Sequence, residues 1–163
     1  MFQVDVQNES AYPLDADRLR QAAVTVMSAH DVVPGSALTI VITADDDVAA
    51  LNRQYRGIDA PTDVLSFPAD VPEIDEEDAP PYLGDLVIAF PYASAQAERE
   101  GHGLMDSLSL LVVHGTLHLL GYDHGDQAEK ADMWAAQADA LQAIGVPLSI
   151  VPSLEGGHGD GEG

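Results

Sequence analysis

The chain contains the stretch Leu110-Leu111-Val112-Val113-His114-Gly115-Thr116-Leu117-His118-Leu119-Leu120-Gly121-Tyr122-Asp123-His124. Its apolar residues predict a buried helix, on which two histidines lie four positions apart. Because four residues make about one helical turn, both imidazoles leave the same face of the helix. Gly121 stands where the helix is expected to end, since glycine adopts the left-handed conformation without a Cβ penalty. The chain can then turn back and bring His124 toward the other two histidines.

Three imidazoles that converge on one point form a set of zinc ligands with a fourth position open for water. We therefore interpret His114, His118 and His124 as a catalytic site for one Zn²⁺ per chain. The alternative is a structural network of core histidines, but burying two unpaired imidazoles is costly without a partner. The chain has no cysteine, so a tight metal site must use histidines and carboxylates. Three imidazoles also suit Ni, Co or Cu, and the metal bound in vivo stays open.

The spacing His-x-x-x-His-x-x-Gly-x-x-His is also that of the metzincin proteases. Those enzymes carry Glu directly after the first histidine as the general base, and here that position is Gly115. The missing carboxylate argues against an ordinary zinc protease, although it does not argue against zinc.

Composition predicts one globular domain over residues 1–151, followed by an acidic, glycine-rich tail at 152–163 that we expect to be disordered. Within the domain, residues 70–81 combine acidic residues with prolines and predict a solvated loop. No signal peptide is visible at the N-terminus, and no apolar run approaches the ~18 residues of a membrane span. The expected location is the cytoplasm. The sequence does not indicate the oligomeric state.

The charge balance is strongly acidic, with 28 Asp and Glu against 6 Lys and Arg and a net charge of −22. Such a surface favours solubility, and it disfavours a general grip on nucleic acid, which relies on Lys and Arg to neutralise phosphates. Any nucleic-acid function must therefore depend on a local positive group.

Periodicity along the chain predicts an α+β fold, with a small mixed β-sheet packed with several helices. Strands are predicted at residues 2–7, 38–43, 64–67 and 85–90. Helices are predicted from Asp15 or Asp17 to 30, at 45–55 and 91–100, along the histidine stretch, and from 126 to 145. Asp85 is expected to be a turn residue at the start of its strand. Arg53 is expected to be a surface charge.

Several blocks of the sequence resemble the YbeY-type endoribonucleases, also called rRNA maturation factors. The resemblance covers the chain from near residue 50 to about 145, and it rests on Leu51-Asn52-Arg53-Gln54-Tyr55-Arg56-Gly57, Pro61-Thr62-Asp63-Val64-Leu65-Ser66-Phe67-Pro68, Leu83-Gly84-Asp85-Leu86, the histidine stretch and Met133-Trp134. It implies a zinc-dependent, single-strand-specific endoribonuclease that acts on rRNA precursors and in ribosome quality control. It further implies zinc on His114, His118 and His124, a functional arginine at Arg56 and a metalloprotease-like (zincin-like) core.

The chemistry that the resemblance implies is physically reasonable. Zinc held by three imidazoles lowers the pKa of bound water to ~7, which supplies a hydroxide to attack a phosphodiester. The guanidinium of Arg56 would stabilise the charge that develops on the phosphate. The alternative role for Arg56 is a helix-end cation that satisfies the last carbonyls.

Several roles stay open. The proton acceptor is unassigned, and the metal hydroxide or the 2′-OH of the substrate could take part. Asp123 and Asp126 could orient the imidazoles or act in capping and turns. Trp134 and Met133 are expected to be core residues rather than a base-stacking platform.

Two further functions are considered beside the endoribonuclease. One is a zinc hydrolase of another substrate, such as a peptide, which Gly115 disfavours. The other is a non-catalytic ribosome-assembly factor whose zinc is structural, in which case the loss of one histidine should unfold the domain.

Overall fold

The computed structural model describes residues 2–69, 81–123 and 125–150. Along the chain the elements are β1 (Gln3–Gln7), α1 (Ala16–Ala29), β2 (Ala37–Thr43), α2 (Asp45–Arg56), β3 (Val64–Pro68), β4 (Tyr82–Ala89), α3 (Phe90–Glu100), α4 (Leu104–Leu119), α5 (Gln127–Ala143) and a short 3-10 helix (Leu148–Ile150). The loop predicted at 70–81, apart from Pro81, and the tail predicted at 152–163 lie outside the described residues.

The four strands of the described chain form one mixed sheet in the order β1-β2-β4-β3. Strands β1, β2 and β4 are parallel neighbours, while β3 pairs antiparallel with β4 and places Ser66 opposite Leu86. The mixed sheet and its packed helices confirm the α+β prediction.

Helix α4 lies in the centre of the core. All ten residues from Leu108 to Leu117 are buried, and the helix packs against α1, α3, α5 and the strands β3 and β4. An apolar surface all round a helix is what a fully enclosed position requires. The prediction of a buried helix on the histidine stretch is therefore confirmed.

Helices α1 and α5, which both pack against α4, begin at capping carboxylates. Asp15 caps α1 by accepting hydrogen bonds from the backbone N–H groups of Asp17 and Arg18. Asp126 caps α5 by accepting one from Glu129 N–H at 2.8 Å. Each carboxylate satisfies donors that the first helical turn leaves without partners and opposes the positive end of the helix dipole.

One expectation for the sheet was wrong. Strand β4 begins at Tyr82, so Asp85 lies inside the strand, opposite Thr39 on β2 and Phe67 on β3. Its carboxylate accepts a hydrogen bond from the Tyr82 hydroxyl, so Asp85 is not a turn residue. Desolvation raises the pKa of the Tyr82 phenol above its usual value of 10.0, and the hydrogen bond to Asp85 adds to the shift.

Among the residues that the structure describes, no helix has the length and hydrophobicity needed to cross a bilayer.

Candidate metal centre

The two histidines of α4 converge as their spacing predicts. Their Nε2 atoms lie 3.2 Å apart, and the ring planes are nearly perpendicular, at 82°. His114 is buried, with 1% of its surface exposed, whereas His118 is partly exposed and lines a cleft. Two nitrogens that point at one place in this way are suited to share a cation.

The separation of the two nitrogens fits ligation of a single ion. Two nitrogen ligands at about 2.0–2.1 Å from a tetrahedral zinc are about 3.3 Å apart. The observed 3.2 Å between the Nε2 atoms is close to that spacing. The spacing is compatible with two ligands of one metal, and it is also that of a hydrogen bond between the two rings.

A buried amide contacts the inner histidine. Gln137 on α5 is fully buried, and its Oε1 lies 3.1 Å from His114 Nδ1. Because an amide oxygen can only accept, this contact is a hydrogen bond in the tautomer that carries the proton on Nδ1, and in that tautomer the lone pair is on Nε2, which faces His118. Outer partners of this kind fix the orientation of metal-bound histidines. This role of Gln137 was not predicted from the sequence, because the contact joins residues 23 positions apart on two different helices.

The third predicted ligand, His124, lies outside the described residues. Within the described ranges no group of three His, Cys, Asp or Glu side chains is placed to hold a metal. Asp123 lines the cleft beside His118, while Asp126 is engaged as the cap of α5. Of the two aspartates considered for orienting the imidazoles, Asp126 therefore acts as a helix cap, and Gln137 contacts His114 instead.

Gly115 lies where the helix approaches the sheet most closely. A Cβ at this position would lie 2.7 Å from Leu86 Cδ2 and 3.3 Å from Ser66 Oγ. Leu86 is fully buried, so it has little room to move. The close contact gives a physical reason for glycine here, because a Glu side chain would have to displace the core of β4.

Arg56 lies across the cleft, at the C-terminal end of α2. The helix stops because Gly57 adopts a left-handed conformation, with φ of 71°. Buried Asn52 fixes the segment that follows by donating a hydrogen bond from Nδ2 to Ala60 O at 2.8 Å. Beyond that segment the chain enters β3, so the end of α2 and β3 form one rim.

The cleft has a volume of about 470 Å³. Its walls come from the end of α2, from β3, and from the end of α4 with the segment that follows it. They comprise Leu51, Tyr55, Arg56, Leu65, Ser66, Phe67, Pro68, His118, Gly121, Tyr122 and Asp123. Arg56 and His118 therefore share one cavity.

The remaining polar and aromatic candidates lie elsewhere or have structural roles. Arg53 is exposed and lies 3.7 Å from the Asp59 carboxylate, which agrees with a surface charge. Met133 is fully buried, as expected for the core. Trp134 is only partly buried, and it packs edge-on against the His114 ring at 5.8 Å between centroids.

Two residues of the cleft were not predicted from the sequence. Ser66 Oγ is buried and has no hydrogen-bond partner within the described part of the chain. The Tyr55 side chain is 61% exposed at the rim, where it packs against Phe67. The position of Tyr55 next to the candidate arginine was a signal in the sequence that could have identified it. The burial of Ser66 Oγ depends on the fold, so no signal in the sequence indicated it.

A family model described as endoribonuclease YbeY matches residues 4–145. The chain belongs to the endoribonuclease YbeY family. This confirms the family resemblance and agrees with the zincin-like core expected of the fold.

Relatives within this family are similar over most of their length. The endoribonuclease YbeY of Chloroflexus aurantiacus is 39% identical over 151 residues, covering 90% of this chain and 98% of the relative. That of Roseiflexus castenholzii is 44% identical over 148 residues, covering 88% and 93% of the two chains. That of Geobacillus kaustophilus is 46% identical over 123 residues, covering 72% and 78%.

A solved structure supports the fold independently. The solution structure of TM1509 from Thermotoga maritima superposes with a TM-score of 0.58 at 21% identity and covers 94% of this chain and 95% of that one. At this level of identity the likeness concerns the fold alone.

Proposed function

We propose that this protein is a metal-dependent endoribonuclease that cleaves single-stranded RNA. Its proposed substrates are rRNA precursors, its partner is the ribosome, and its setting is rRNA maturation and ribosome quality control in the cytoplasm. The observation that carries the proposal is the 3.2 Å approach of His114 Nε2 and His118 Nε2 beside a cleft that also holds Arg56. The family to which the chain belongs supports the RNA part.

The proposed metal is one Zn²⁺ per chain, held by His114, His118 and His124. Gln137 supports this role, because its Oε1 lies 3.1 Å from His114 Nδ1 and Nε2 is the ring nitrogen that faces His118. When bound, such an ion polarises a phosphoryl oxygen and activates water for attack on phosphorus.

Arg56 is proposed to bind the scissile phosphate. Arg56 is partly buried and lines the same cavity as His118, so a phosphate bound there would occupy the pocket that both residues line. A guanidinium gives two parallel hydrogen bonds to phosphate oxygens, and it stabilises the charge that builds up as the phosphodiester is attacked. Because Arg56 is the last residue of α2, it could instead satisfy the last carbonyl groups of the helix. A cleavage assay separates the two roles, since only loss of phosphate binding lowers RNA cleavage directly.

Peptide hydrolysis is disfavoured by the packing around Gly115. The Cβ of any side chain there would lie 2.7 Å from the buried Leu86. A glutamate general base of the protease type would therefore require the buried Leu86 side chain to shift.

The test is cleavage of a labelled single-stranded RNA by the wild type, by His118→Ala and by His102→Ala, all supplied with zinc. His102 lies outside the cleft, in the turn before α4, and serves as the matched control. We expect His118→Ala to lose cleavage by about 10³-fold or more, and His102→Ala to retain it. Circular dichroism should find both variants folded.

Three results would favour other functions. Zinc-loaded wild type that cleaves no RNA would contradict the proposal, and unfolding of His118→Ala would favour the assembly factor with a structural zinc. Cleavage of peptides but not RNA would favour the other zinc hydrolase. A substrate with a 2′-O-methyl group at the cleaved nucleotide identifies the nucleophile, because only attack by water tolerates that change.

A further inference from the structure

We infer that the exposed ring of Tyr55 is a nucleobase-binding subsite at the rim of the cleft, where it stacks on one unpaired base of the RNA strand. This inference rests on the proposed function and names the part of the substrate that the rim recognises.

Tyr55 is more exposed than the other aromatic residues that line the cleft, Phe67 and Tyr122. Among the described residues the strongly exposed large hydrophobic side chains are Val33, Tyr55, Tyr82 and Leu148. Tyr55 is the most exposed of them, at 61%, and the one that also lines the cleft. An exposed tyrosine alone needs no explanation, but one that borders the candidate site offers a free π-face beside the place where a phosphate would bind.

The ring is also held in place. Phe67 on β3 packs against Tyr55 with 5.2 Å between ring centroids and 66° between the ring planes. Such tilted edge-to-face packing is a favourable aromatic geometry, and it limits the motion of the ring. The contact with Phe67 restricts the positions open to the Tyr55 ring, which lowers the entropy that stacking must overcome.

Arg56, the residue after Tyr55, supplies a cation for the phosphate backbone of the RNA. Arg56 follows Tyr55 directly and lines the same cleft. A cation for the phosphate beside an aromatic ring for the base is the combination that single-strand-binding grooves use. In a duplex each base is already stacked and paired, so Tyr55 would select for unpaired nucleotides.

The charge balance makes stacking more important here than in a basic nuclease. The chain has 6 Lys and Arg and a net charge of −22. Within the described part of the chain, Arg18 lies 3.2 Å from Asp106, Arg20 lies 2.7 Å from Asp17 and Arg53 lies 3.7 Å from Asp59. Few cationic side chains therefore remain to neutralise RNA phosphates and release their counterions. The affinity for RNA is then expected to come largely from contacts that do not depend on charge.

The experiment measures kcat and KM for a short single-stranded RNA with the zinc-loaded full chain. Tyr55→Ala should raise KM by roughly 10- to 100-fold, since one stacked base contributes that much. The value of kcat should stay within about threefold, because stacking acts in binding rather than in the chemical step. Tyr55→Phe should retain the wild-type KM. Tyr82→Ala, which removes an exposed tyrosine outside the cleft, is the matched control and should also retain it.

A second arm identifies the base. Substrates are prepared in which one nucleotide at a time is abasic. For the wild type, the substrate that is abasic at one particular position should have a KM raised as much as Tyr55→Ala raises it. For the Tyr55→Ala variant, that abasic substrate should have the same KM as the intact RNA. A rise of KM that is additive between the two changes would overturn the subsite.

The two levels of the proposal fail differently. If the wild type cleaves RNA and Tyr55→Ala has an unchanged KM, the subsite is wrong and the endoribonuclease proposal stands. An equal rise of KM in Tyr82→Ala would also refute the subsite. If the zinc-loaded wild type cleaves no RNA, the proposed function falls and the subsite falls with it.

Discussion

The two sides of the cleft are built in opposite ways. On one side, the packed helix α4 brings His118 to the cleft, and buried His114 contacts both His118 and Gln137 while Gly115 packs against the sheet. On the other side, the end of α2 presents Tyr55, mostly exposed, and Arg56, partly buried. A metal ion requires nitrogens fixed to within tenths of an ångström, whereas an RNA strand is bound by side chains that water can reach. Changes on the α4 side should therefore affect stability and metal affinity, and changes on the α2 side should affect RNA cleavage alone.

The largest effect is expected from Gly115→Glu. The new side chain would overpack against buried Leu86 and bring a carboxylate into the core. We expect a loss of at least about 3 kcal/mol in the free energy of unfolding, measured by urea denaturation. Gly125→Glu is the control, because the atom nearest to a Cβ there is Oε1 of the exposed Glu129, at 3.3 Å. Equal stability of the two variants would show that α4 does not pack as tightly as described.

Arg56→Ala should lower kcat by about 10²–10³-fold, the usual loss when one group that stabilises transition-state charge is removed. Its free energy of unfolding and its zinc content should stay unchanged, because the side chain is on the substrate side. Arg53→Ala, one turn earlier and exposed, is the matched control and should cleave normally. Loss of stability without loss of kcat would instead favour the helix-end role of Arg56.

Gln137→Leu should weaken zinc binding by about 10- to 100-fold, because His114 loses the acceptor that fixes its tautomer. Competition with a chelator at fixed pH measures the effect. Gln142→Leu makes the same change at an exposed position of α5 and should bind zinc like the wild type. If both variants bind zinc equally well, the contact to His114 has no part in metal binding.

The smallest effect is expected from the helix caps. Asp126→Ala and Asp15→Ala should each lower the free energy of unfolding by about 1 kcal/mol, because each removes a side-chain acceptor from the first turn of a helix. Thermal denaturation measures both. Zinc affinity should be unchanged in Asp126→Ala, and a large drop would show that Asp126 orients an imidazole after all.

The sequence predicted the parts of the site that depend on local geometry. The four-residue spacing of His114 and His118 sets their common face, and Gly121, with φ of 100°, follows the end of α4 as expected. The α+β class followed from the order of the strand and helix patterns.

The remaining features depend on long-range packing. The contact of Gln137 with His114 and the closeness of Gly115 to Leu86 arise only when α4 is placed between α5 and the sheet. The position of Asp85 inside β4 depends on its pairing with two neighbouring strands. The exposure of Tyr55 likewise depends on where β3 places Phe67. No periodicity within one segment carries this information.

The central claim is that His114 and His118 are ligands of one metal ion, and X-ray absorption at the metal edge of the zinc-loaded protein tests it most directly. We predict one zinc per chain with three imidazole nitrogens at about 2.0–2.1 Å. His118→Ala should lower the nitrogen count and the affinity, while His102→Ala should leave both unchanged. A protein that binds no metal, or one whose metal keeps the same ligands in His118→Ala, would contradict the account.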